Sequence, residues 1–122
     1  MSPGEVVTAF IRAVEAKDLD GALALVADDC VYDNVPMGAV TGPDAIRATL
    51  GGFLGSATAV EWVIHHQVEQ GDVVMNARLD RFEIGDRWLE LPVAGVFEVR
   101  DGRLHLWRDY FDLGTFTSQL QG

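Results

Sequence analysis

The chain has 122 residues, 48% of them hydrophobic, with 19 acidic residues against 9 basic ones and a formal charge of −10. That length suits one domain spanning residues 1–122 and supports a sizeable core without a metal or disulfide staple. The acidic balance argues against nucleic-acid binding, which needs clustered Lys and Arg, and against docking on an anionic membrane. A single cysteine, Cys30, excludes an intrachain disulfide. No basic segment followed by an apolar one opens the chain, and no apolar run approaches the roughly 18–20 residues of a membrane span. A cytoplasmic protein is the expectation.

Ser2-Pro3-Gly4-Glu5 reads as a helix start with a capping box. Val6, Val7, Phe10, Ile11 and Val14 follow at helical spacing. Asp18 can cap a second helix carrying Leu19, Leu23 and Val26. A short strand is expected from Cys30 to Val35, then a loop through Pro36-Met37-Gly38-Ala39. Gly42-Pro43 opens a third helix with Ile46, Leu50 and Phe53 on one side, ended by Gly51, Gly52 and Gly55. Strand patterns then take over at residues 58–69, 73–84, 87–100 and 103–111. The third of these four is expected to break near Pro92, and Asp101-Gly102 signals the last hairpin. A tail helix over 114–121 closes the chain. Helices followed by a meander of long strands predict an α+β fold, with a curved, mostly antiparallel sheet wrapped around the N-terminal helices and a pocket between them.

On the strand over 73–84, Asn76, Arg78, Asp80 and Phe82 share one face, and Val73, Met75, Ala77 and Leu79 share the other. Two readings are open. Either the polar face meets solvent and the apolar face the core, or the polar face lines a pocket and a second subunit covers the apolar one. Taken alone, this strand favours the first. The last strand shifts the balance, because alternation sets Asp109 on one face with His105, Trp107 and Phe111. A carboxylate among large aromatics is no surface decoration. If Asp80, Asp109 and Arg78 meet in a dry pocket, one aspartate is expected to hold a proton and act as acid while the other acts as base. Tyr32 and Asn34, two apart on the first strand, can position a water beside the base.

Tyr32-Asp33-Asn34, Arg78-Leu79-Asp80 and Trp107-Arg108-Asp109-Tyr110-Phe111-Asp112-Leu113 together resemble the limonene-1,2-epoxide hydrolase family. The similarity runs from Ser2 through Gln119. It implies the cone-shaped α+β barrel shared with nuclear transport factor two and ketosteroid isomerase. It also implies a cofactor-independent, metal-independent hydrolase that adds water to an apolar epoxide in one step. In that mechanism Asp109 is the base on a water held by Tyr32 and Asn34. Asp80 is the acid on the epoxide oxygen, and Arg78 bridges the two. Phe82, Trp107 and Phe111 are the expected substrate walls.

Two other functions stay open for this fold: a proton-transfer isomerase or polyketide-cyclase-like enzyme, and a non-catalytic small-ligand-binding domain. The apolar face with Met75 implies a homodimer. His65 and His66 are expected to face opposite ways and to hold no metal, and His105 to be a structural residue or a pocket wall. Asp112 is expected to cap the tail helix.

Overall fold

The computed structural model describes residues 1–121. The order is α1 (Pro3–Glu15), α2 (Leu19–Leu23), β1 (Val26–Asn34), β2 (Gly38–Thr41), α3 (Pro43–Leu54), β3 (Ala59–Gln70), β4 (Val73–Ile84), β5 (Arg87–Arg100), β6 (Arg103–Tyr110) and α4 (Leu113–Gln121). The six strands make one open sheet in the order β2-β1-β6-β5-β4-β3. Only β1 and β6 run parallel; the other neighbours are antiparallel. The architecture is the expected α+β one.

The capping box forms as the sequence predicts. Ser2 Oγ accepts from the Glu5 N–H, and the Glu5 carboxylate accepts from the Ser2 N–H at 2.8 Å. Val6, Val7, Phe10, Ile11 and Val14 then bury the inner stripe of α1 in the same core as Trp107 and Phe97. α1 also guards the open edge of the sheet. Glu15 accepts from the Trp62 N–H at 2.8 Å, Gln67 donates to the Gly4 carbonyl, and Glu69 accepts from the Gly4 N–H. A helix laid against an edge strand in this way hinders pairing with another sheet.

Several expectations are corrected. Val26 does not end the second helix; it begins β1, which is longer than the predicted segment over 30–35. The predicted loop at Gly38-Ala39 is the start of a paired strand, β2. Gly51 and Gly52 lie inside α3, where burial of Ile46, Leu50 and Leu54 outweighs their poor helix propensity. β5 runs through Pro92 without a break. The Asp101-Gly102 hairpin is as predicted, with φ of 54° and 74°. Asp112 caps α4, accepting from the Thr115 N–H at 2.9 Å.

Two register shifts reassign side chains to faces. One lies between Ile64 and His66 on β3, leaving both His65 and His66 exposed rather than on opposite faces. The other lies between Glu98 and Val99 opposite β6, where His105 is the extra residue. It turns Leu104 into the core and leaves His105 outside, paired with Asp29 at 3.1 Å. His105 therefore shares no face with Asp109. An extra residue flips the alternation on either side of it.

Candidate active site

β4 alternates without a fault: Val74, Asn76, Arg78, Asp80 and Phe82 are buried, while Val73, Met75 and Ala77 are exposed. The solvent reading of its polar face is thereby overturned. The charges go inside because they satisfy one another. Arg78 donates twice to Asp80, from Nε and Nη2, each at 3.0 Å. It donates to Asp109 from Nη2 at 3.0 Å and Nη1 at 3.3 Å, and to Asn76 Oδ1 from Nη1 at 3.0 Å. A guanidinium has five N–H groups, so each finds an acceptor. The rings of Trp62 and Phe97 pack against it, their centroids 5.2 and 6.0 Å from Cζ. Burial alone pulls the Arg78 pKa down, but the two carboxylates outweigh that and raise it.

Asn76 was not singled out by its sequence, yet it anchors this cluster. Its amide donates to Gln67, which in turn donates to Thr8 and to the Gly4 carbonyl on α1. The first turns of α1 thus hold the arginine's orientation through a chain of side chains. Gly95 was missed as well. It lies on β5 opposite both Asn76 and Asp109. A Cβ there would stand 2.5 Å from Arg78 Nη1, 2.9 Å from Asn76 Oδ1 and 3.0 Å from Asp109 Oδ1. Only a residue without a side chain leaves room for the cluster.

β1 and β6 bring the other two polar residues to the same place. Their parallel register sets Tyr32 beside Trp107 and Asn34 beside Asp109. Tyr32 stacks on Trp107 with centroids 3.6 Å apart. Burial and the Asp109 charge drive the Tyr32 phenol well above its ordinary pKa, against a partial offset from Asn34 and Arg78, so it stays protonated. Burial also pushes the Asp80 carboxyl up to about 6; Arg78 opposes this, and the charges of Asp109 and Glu15 add to it.

Tyr32, Asn34, Asp80 and Asp109 line one inner chamber with Trp62, Phe82, Leu91, Val93, Phe53, Phe111 and Phe116. Its free volume is about 20 Å³, room for a water. Phe53, Phe82 and Phe116 also border an outer cavity of about 430 Å³, lined further by Met37, Ile84, Leu89 and Leu120. Of the three expected walls, Phe82 and Phe111 line the chamber. Trp107 does not: it is fully buried behind Tyr32. Trp62, which carried no motif, does line it. Cys30 lies apart from this cluster, its thiol pushed up to about 12 chiefly by burial. Among the described residues, no group of three or more His, Cys, Asp and Glu could hold a metal ion, and no helix is long and apolar enough to cross a membrane.

The family model of the limonene-1,2-epoxide hydrolase catalytic domain matches residues 1–121. The epoxide hydrolase EphG of Mycobacterium tuberculosis is 39% identical over 107 residues, covering 88% of this chain and 71% of that protein. A solved limonene-epoxide-hydrolase-like epoxide hydrolase from M. tuberculosis superposes with a TM-score of 0.83 at 36% identity, covering 96% of this chain and 87% of the other. The chain belongs to the limonene-1,2-epoxide hydrolase family and is an enzyme of the epoxide hydrolase class. A protein with a ketosteroid isomerase-like fold from Catenulispora acidiphila, solved with trimethylamine, has a TM-score of 0.83 at 22% identity over 94% of this chain and 91% of its own. That likeness is one of fold alone.

Proposed function

We propose that this enzyme opens an apolar epoxide to a vicinal diol in one step, with Asp109 as base, Asp80 as acid and no covalent intermediate. The observation that carries this reading is the bridge: one fully donated guanidinium holds both buried carboxylates at the floor of a single chamber. Arg78 leaves the two acids with different duties. A fully ionised trio carries a net charge of −1, and burial favours the state in which one carboxyl is protonated. The raised pKa of Asp80 suits it to donate.

In that step a water held by Tyr32 and Asn34 loses a proton to Asp109 as its oxygen bonds to an epoxide carbon. The carbon–oxygen bond breaks, and the Asp80 proton goes to the departing oxygen. Asp109 ends protonated and Asp80 ionised, and exchange with solvent resets both. Each acid or base role is worth about 10²–10⁴-fold in rate. Diol formation from limonene oxide, cyclohexene oxide and styrene oxide tests the reading. Asp80→Asn and Asp109→Asn are each expected to turn over at least about a hundredfold more slowly. Retained activity in either folded variant would remove the role assigned to it.

The apolar walls of the chamber and of the outer cavity support a small or medium hydrocarbon-like epoxide as substrate. The outer face of the sheet supports a homodimer. Val68, Met75 and Tyr110 are 65%, 50% and 45% exposed there, around a shallow groove that Ala77, Ala94 and Val96 complete.

A further inference from the structure

Trp62 stands directly opposite Asp80 in the β3–β4 ladder, and both turn inward, 3% and 4% exposed. The residue is held from several sides. Glu15 holds its backbone N–H, the Arg78 guanidinium packs on its face, and Phe82 meets it edge-on at 6.3 Å. Yet its Nε1–H is buried and finds no acceptor among the described residues. A phenylalanine would give similar apolar packing without an orphaned donor, which is costly to bury. The indole N–H of Trp107 is also unpaired, but that ring borders no part of the chamber, whereas the Trp62 ring is one of its walls.

The chamber is where an acceptor from outside the chain would enter. Asp80 delivers its proton there, so the substrate oxygen must stand beside Asp80. Trp62 is the nearest cross-strand neighbour of Asp80 on β3. We propose that the Trp62 indole N–H donates a hydrogen bond to the epoxide oxygen, sharing with Asp80 the charge that develops as the carbon–oxygen bond breaks. The inference rests on the hydrolase reading above. No proton leaves the indole, which is a donor only; Asp80 remains its source.

Two measurements test this together. The first follows the indole N–H resonances of the three tryptophans in the unmodified enzyme, using Trp62→Phe to assign one of them. Tetrahydropyran, an unreactive ether, and cyclohexane, its hydrocarbon counterpart, are added in turn. The expected result is a downfield move of the Trp62 resonance with the ether and not with the hydrocarbon. The second is kcat/KM for an epoxide, expected to fall about tenfold or more in Trp62→Phe. An ether that leaves the resonance where the hydrocarbon does overturns the proposal, as does an unchanged kcat/KM in the variant. An ether-specific shift in an enzyme that forms no diol sustains the donor and overturns the hydrolase reading instead.

Discussion

Asp80 is the residue on which the proposed chemistry turns. Its carboxyl rises from an ordinary 3.8 to about 6, first because burial disfavours the charge. The folded enzyme therefore binds this proton more tightly than the unfolded chain does. The stability linked to it is fully present below about pH 4 and is lost as pH rises through about 6, an effect of about 3 kcal/mol. In the mechanism proposed above the same proton serves the acid step. In the proposed mechanism kcat/KM falls as pH rises above about 6, approaching tenfold per pH unit, and a pH–rate profile checks it. A profile flat to about pH 9 would take the acid role from Asp80. The five polar residues of the site were legible because each sits in a short motif with a clear alternation. Trp62 was not legible. Counted back from the turn at Gly71, a regular ladder puts Trp62 on the face away from Gln67. The register shift between Ile64 and His66 returns it to the inner face.

At the scale of elements, β5 shows why two local signals misled in opposite directions. Pro92 suggests a break, since it has no N–H for a ladder. The strand survives because that position needs no such bond. Glu90, two residues earlier and pointing its backbone the same way, pairs not with a strand but with the Gln119 side chain of α4, through both its N–H and its carbonyl. β6 pairs with β5 only from Ala94 onward, so Pro92 lies beyond it. Gly95 gives the reverse case. Its backbone is ordinary and its sequence context unremarkable, yet its missing side chain is the space the Arg78 cluster fills. No sequence pattern announces that, because the crowding comes from β4 and β6 together. Gly95→Ala is expected to cost about 1–3 kcal/mol of stability and to lower kcat/KM at least tenfold by displacing Arg78 or Asp109. Chemical denaturation and kinetics on the folded variant check both; wild-type values would mean that the cluster yields freely. The start of β1 at Val26 and the pairing of β2 were hidden for a third reason. Both strands are set by tertiary partners, β6 and β1, rather than by local pattern.

The whole molecule divides its surfaces by the two faces of one sheet. The inner face, α3 and α4 enclose the chamber and its outer cavity. The outer face keeps Val68, Val73, Met75 and Tyr110 exposed, in a chain whose charge of −10 otherwise favours separation. The proposed dimer covers that face. Met75→Glu, which adds a charge at its centre, is expected to halve the mass seen by light scattering at micromolar concentration. A wild-type monomer under the same conditions would contradict the dimer. The likeness of fold to the Catenulispora acidiphila protein covers 94% of this chain. A shared fold assigns no chemistry, and the proposal that a free water is the nucleophile in the chamber can be tested directly. A single turnover in ¹⁸O-labelled water, with enzyme in excess over the epoxide, distinguishes attack by water from attack by an aspartate. The account predicts that the first diol formed carries the label and that Asp80 and Asp109 do not. An unlabelled first diol, with ¹⁸O in either carboxylate, would contradict it.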